Sequence, residues 1–184
     1  PSFDDPWIIE GQGSAGIEAA AQMAALGMGS PRRVVVPCGG GGLSAGIALA
    51  LPESHIVTVE PEGWDDMARS IEAGRPVPVL EPSPPTRCDA LQTKLVSPLT
   101  LGALVESRAS GLWVTESEIE TAMAFAARHL RIVAEPGGAV ALAALIAGKA
   151  GPVTERTVVV VSGGNVDPEL YAAILGAQAA DAAR

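Results

Sequence analysis

Four consecutive glycines, Gly39-Gly40-Gly41-Gly42, follow a β-branched run, Val34-Val35-Val36, and precede a helix-forming run that starts at Leu43. β-Branched residues suit a pleated, extended backbone, so the valines predict a buried strand. Residues without a Cβ let a ligand come close to the backbone and let φ turn positive. The amides that follow sit at a helix N-terminus, where unpaired N–H groups and the macrodipole favour an anion. An ordinary strand-to-helix turn needs one or two glycines, not four. The run therefore reads as a loop that holds a phosphate.

The rest of the chain is arranged to match. Strands are predicted at Arg33–Pro37, His55–Glu60, Leu112–Val114 and Thr157–Val161. Helices are predicted over Ala15–Leu26 with Ser14 as N-cap, Leu43–Leu51, Trp64–Ala73, Pro98–Ala109, Gly137–Gly148 and Pro168–Ala183. Thr115-Glu116-Ser117-Glu118 forms a capping box ahead of a helix running to about His129. Pro1–Pro6 reads as a loop, and so does Gly74–Asp89, where five prolines exclude helix and central strand. Hydrophobic residues make up 48% of the chain but aromatics only 3%, so Val, Ile, Leu and Ala must build the core. Alternating strands and helices with such a core predict an α/β fold: one cofactor-binding domain over residues 1–184, with a doubly wound, mainly parallel sheet and helices on both faces. Ligands of such sheets bind beyond the carboxyl ends of the strands. The glycine loop, Glu60 and Ser162-Gly163-Gly164-Asn165 should therefore meet at one edge.

Charge and cysteine content exclude several classes. A net charge of −9 argues against nucleic acid as a partner, because a phosphate backbone needs a basic surface. Cys38 and Cys88 have neither metal-type spacing nor a disulfide framework, which fits a reducing cytoplasm. No run is apolar enough to read as a signal peptide or a membrane span. The chain begins at Pro1 and is expected to be a piece of something longer, or a processed product.

Two readings compete for the glycine loop. Gly40-x-Gly42-x-x-Ala45, with Glu60 about twenty residues on, satisfies the dinucleotide pattern, which makes a nucleotide-binding module one of them. That scheme has no use for Ser162-Gly163-Gly164-Asn165. Taken together, Val36-Pro37-Cys38-Gly39-Gly40-Gly41-Gly42-Leu43-Ser44-Ala45-Gly46, Val161-Ser162-Gly163-Gly164-Asn165-Val166-Asp167 and Gly11-Gln12-Gly13-Ser14 resemble the serine racemase / threonine dehydratase family of fold-type II pyridoxal phosphate enzymes. Val59-Glu60-Pro61 and Ala134-Glu135-Pro136 fall in the order of that family.

The resemblance implies that Gly39, Gly40, Gly41, Gly42 and Leu43 cup the phosphate of pyridoxal 5'-phosphate. It sets Ser162, followed by Gly163, at the pyridine nitrogen and Glu135 near the cofactor ring. Glu135 reads equally well as a charge at a helix N-terminus. The resemblance also implies a site for Mg²⁺ or Ca²⁺ at Glu60, Asp66 and the Trp64 carbonyl, while Asp65 and Asp66 read equally well as carboxylates favoured by a helix dipole. Arg87-Cys88-Asp89-Ala90 aligns with a loop that passes the cofactor, with Ala90 where racemase-like members carry glycine. The expected reaction is loss of water from a hydroxy amino acid, giving a 2-oxo acid and ammonia, with serine racemisation as the alternative. The expected assembly is a homodimer.

Neither lysine, Lys94 or Lys149, stands in a context suited to the Schiff base. In the family that lysine and the small domain lie in the N-terminal part. The chain is thus expected to resemble the C-terminal large domain, to be inactive alone, and to need an N-terminal segment or second polypeptide. A non-catalytic assembly subunit is the third reading.

Overall fold

The computed structural model describes residues 3–181. The elements run α1 (Pro6–Gln12), α2 (Ser14–Ala25), β1 (Arg33–Pro37), α3 (Gly42–Ala50), β2 (His55–Pro61), α4 (Asp66–Ala73), α5 (Pro98–Glu106), β3 (Ser110–Val114), α6 (Glu116–Phe125), α7 (Pro136–Ile146), β4 (Thr157–Val159) and α8 (Pro168–Asp181). A 3-10 turn covers Asp89–Leu91, and a π turn over Ala126–Leu130 extends α6 to about the predicted end. The predicted close of the last helix, at residues 182–183, lies outside the described residues.

The strands form one sheet in the order β3-β2-β1-β4, and every pairing is parallel. In register, Val35 stands opposite Val57 on one side and Val159 on the other. Side chains alternate across a strand. Val35, Val57 and Val59 therefore enter one core with Ile119, Met123 and Val140, which come from α6 and α7. Val34, Val36 and Ile56 enter a second core with Ile47, Met67 and Leu104, which come from α3, α4 and α5. Helices cover both faces, as the apolar central strands require. The fold is the α/β arrangement expected.

The structure corrects two local expectations. Residues 6–12 are helical, so the entry loop stops short of Pro6 and a helix stands where none was predicted. Asp5 caps this turn by accepting from the N–H groups of Trp7 (2.8 Å) and Ile8 (3.3 Å), and Pro6 takes the first helical position. Ser14 is the first residue of α2 and not its cap; Gly13 holds that place with no side-chain bond. The capping box before α6 is present as predicted: Glu118 N–H donates to Thr115 Oγ1 (3.3 Å), and Thr115 N–H donates to Glu118 Oε2 (2.8 Å).

Candidate functional site

β1 delivers the glycine loop to the carboxyl edge of the sheet. Cys38 N–H still donates to Val59 O (2.9 Å), and Ala45 N–H donates to Gly41 O (2.8 Å). Between them, the amides of residues 39–44 find no acceptor among the described residues. The loop carbonyls are satisfied from the buried side. Thr100 Oγ1, on α5, donates to Gly40 O (2.8 Å), and Ser44 Oγ donates to Gly41 O (3.2 Å). Carbonyls tied below and amides unclaimed above make a nest for an anion at the start of α3.

Glycine is required here. Gly41 has φ of +87°, and a Cβ on it would meet Thr100 Cβ at 3.0 Å and collide with Met67. A Cβ on Gly40 would fall inside the Phe3 ring. Cys38 lies beneath the loop, fully buried, with its Sγ 3.5 Å from Ser44 Oγ. Burial, and next the charge of Glu60, push this thiol well above its ordinary range, so it remains neutral.

A cavity of about 290 Å³ opens over the nest, lined by Gly39, Gly40, Gly41, Gly42, Leu43 and, across from them, Ser162. Phe3, Gln12, Pro37, Ala90, Leu91 and Thr93 complete its lining. Ser162 arrives from the extension of β4, where Val160 N–H donates to Val35 O (2.9 Å). The two glycine-bearing strand ends thus face one space. Ala90 and Leu91 come from the 3-10 turn that closes the proline-rich segment. That segment is tied to α6 by Thr86 Oγ1 donating to Glu116 Oε1 (2.6 Å) and by the Arg87–Glu120 ion pair. Phe3, Thr93 and Thr100 carry no motif. They belong to remote segments, and only the packing brings them to the loop.

Glu135 and Gly163 do not line the cavity. The Glu135 carboxylate turns to the backbone of the other loop and accepts from Asn165 N–H (2.8 Å). It makes no capping bond to α7.

Glu60 stands next to last in β2, which runs one residue further than predicted, to Pro61, and it does not line the cavity. It is fully buried, and its two carboxylate oxygens accept from Met67 N–H and Ala68 N–H, both at 2.8 Å. It thereby caps α4 from a distance in sequence. Burial drives its pKa well above the usual carboxylate range, against those two amides. Asp66, also buried, leaves both carboxylate oxygens without a hydrogen-bond partner among the described residues. Burial raises its pKa to about 7; the nearby amides of Asp66 and Val96 and the Arg69 guanidinium temper that rise without a well-formed bond to the oxygens. Trp64 N–H donates to Pro61 O (3.0 Å) and its indole to Pro84 O (2.9 Å). No cluster of three metal-ligating side chains occurs among the described residues.

Both lysines are engaged elsewhere. Lys94 Nζ pairs with Glu81 (3.0 Å); Lys149 Nζ pairs with Glu118 (2.7 Å) and lies 4.6 Å from the Trp113 ring centroid. Neither lines the cavity. Larger grooves, of about 700 Å³ beside β3 and about 590 Å³ among α1, α3 and α5, lie away from the glycine loop and from Ser162. In the first, Arg69 pairs with Asp65 (3.4 Å) and Lys149 with Glu118; the second is mainly apolar. Among the described residues no helix is long and apolar enough to cross a membrane.

The chain is similar to known proteins in sequence and in fold. The β-hydroxyaspartate dehydratase of Paracoccus denitrificans is 36% identical over 170 residues, covering 90% of this chain and 51% of that protein. The serine racemase of Schizosaccharomyces pombe is 34% identical over 179 residues, covering 95% of this chain and 53% of that protein. The crystal structure of a threonine deaminase from T.th. superposes with a TM-score of 0.82 at 40% identity, covering 90% of this chain and 59% of that one. The chain thus spans about half the length of the curated relatives it matches. Residues 1–164 match the profile of the pyridoxal-phosphate dependent enzymes, and the chain belongs to that family.

Proposed function

We propose that the chain is the cofactor-binding part of a pyridoxal-phosphate-dependent ammonia-lyase that removes water from a hydroxy amino acid such as threonine or serine. The observation that carries this reading is the single cavity lined by residues 39–43, with their unclaimed amides, and by Ser162. The residues fit the group: an amide nest at a helix N-terminus suits a phosphate. Bound pyridoxal phosphate supplies the electron sink that lets a Cα proton leave.

The chain's own contributions are positional. The amides of Gly39 to Leu43 hold the phosphate dianion. Ser162 would offer a neutral hydroxyl to the ring nitrogen, a hydrogen bond without the charge of a carboxylate partner. Glu60 does not line the cavity over the nest, so it does not face a ribose there, which disfavours the dinucleotide reading. The lysine nucleophile is assigned to an N-terminal segment or second polypeptide, since Lys94 and Lys149 are committed elsewhere. The working assembly is a homodimer in the cytoplasm, a location supported by two buried free thiols.

A divalent cation, Mg²⁺ or Ca²⁺, is assigned to Asp66 with Glu60 and the Trp64 carbonyl. Its support is the unpartnered, buried Asp66 carboxylate. Glu60 retains lone pairs beyond its two amide bonds.

The test joins this chain to a polypeptide supplying the lysine and assays L-threonine and L-serine for 2-oxo acid and ammonia. Oxo acid formation is the expected result. Interconversion of serine enantiomers without oxo acid would move the protein to racemases. Saturable NADH binding without pyridoxal phosphate binding would overturn the cofactor reading.

A further inference from the structure

The loop that carries Ser162 is held from one side by a single carboxylate. Glu135 N–H donates to Gly163 O (3.0 Å), and Glu135 Oε2 accepts from Asn165 N–H (2.8 Å), so one residue grips the loop at both its backbone and its side chain. The approach is close at three glycines, and at two of them, Gly138 and Gly164, a Cβ would run into backbone. A Cβ on Gly163 would stand 2.5 Å from Glu135 Cδ and Oε1. One on Gly138 would stand 2.6 Å from Gly163 O, and one on Gly164 would stand 2.7 Å from Val133 O. Ser162 is exposed at the cavity wall, and no side-chain hydrogen bond of its own fixes it among the described residues. Its place is therefore set by the backbone beside it.

We propose that Glu135 is a positioning residue: by clamping residues 163–165 it fixes where the Ser162 hydroxyl meets the ring of the bound cofactor. The inference rests on the reading that Ser162 faces that ring. It differs from a direct role at the ring, because the carboxylate is spent on loop amides and stays outside the cavity lining. A Gln at 135 would keep an acceptor for Asn165 N–H; an Ala would not.

The full chain as wild type, E135Q, E135A, S162A and the E135A/S162A double variant is titrated with inorganic phosphate and with pyridoxal 5'-phosphate. Inorganic phosphate, which reads the glycine nest alone, should bind all five alike. Pyridoxal phosphate should bind about tenfold more weakly to S162A and to E135A, the loss of one hydrogen bond's worth of affinity. E135Q should stay close to wild type, and the double variant should be no worse than either single, because both act through one contact. Wild-type affinity in E135A beside a weakened S162A overturns the proposal, as do additive losses in the double variant. If S162A binds pyridoxal phosphate as wild type does, the ring reading itself fails and this role falls with it. That outcome is recognisable because amide exchange at Asn165 would still separate E135A from E135Q.

Discussion

Thr100 illustrates how one remote hydroxyl supports the glycine nest. It is fully buried on α5, and it donates to Gly40 O at 2.8 Å. Thr100→Val keeps the shape and strands that carbonyl, so it should cost about 1–3 kcal/mol in urea unfolding and weaken phosphate binding as well. Unchanged phosphate affinity would mean that the nest holds its form without Thr100. Asp66 offers a second residue-level test. An ion that binds only the folded chain at a hundredfold excess over its Kd adds about 2.7 kcal/mol. Millimolar Mg²⁺ or Ca²⁺ should therefore raise the wild-type melting temperature, chelator should reverse the rise, and Asp66→Asn should abolish it. An equal response in Asp66→Asn would remove this carboxylate from the ligand set. Such roles were partly legible. Gly39–Gly42 and Ser162 announce themselves by motif. Thr100, Thr93 and Phe3 do not, because their meaning depends on which distant backbone they touch.

At the scale of elements, α6 shows a local signal that survives intact. Its capping box was readable in Thr115-Glu116-Ser117-Glu118, since both partners lie within one turn. The structure adds Lys149, whose Nζ sits 2.7 Å from Glu118. Desolvation raises the Glu118 pKa, but the Lys149 and Thr115 hydrogen bonds outweigh it and leave the group below its ordinary value. A depressed carboxylate stabilises the fold above its unfolded pKa and loses that contribution as pH falls through the folded one. Glu118→Gln should therefore destabilise the protein by up to about 1 kcal/mol at neutral pH. The gap to wild type, followed by thermal melts, should close as pH drops below the ordinary carboxylate range; a gap independent of pH would assign the effect to helix capping geometry alone. By contrast α1 was missed, although Asp5-Pro6 is a capping pair followed by a proline at the first helical position. The proline-bounded entry Pro1–Pro6 was read as loop, and the cap inside it was passed over.

For the molecule as a whole, the two cores on either side of the sheet predict a specific pattern of stability. Leu104 belongs to one core and Met123 to the other, and both are fully buried. Truncating either to Ala should cost about 2–5 kcal/mol. The double variant should match the sum within about 0.5 kcal/mol if the layers respond independently, and a larger departure would reveal coupling through the strands. Strand identity, the alternation of helices and the class of fold follow from residue patterns, because periodicity and β-branching act over a few residues. The glycine loop is equally local: four glycines ahead of a helix leave amides unclaimed at its N-terminus. Which other groups would meet that loop was settled by packing. Parallel pairing of β4 with β1 brought Ser162 opposite Gly39–Gly42 across roughly 120 residues of chain. Folding of α4 against β2 turned Glu60 inward to its amides, and the approach of residues 133–138 to the second loop gave Glu135 its clamp. Such contacts join segments far apart in sequence, and their geometry exists only once the sheet has assembled.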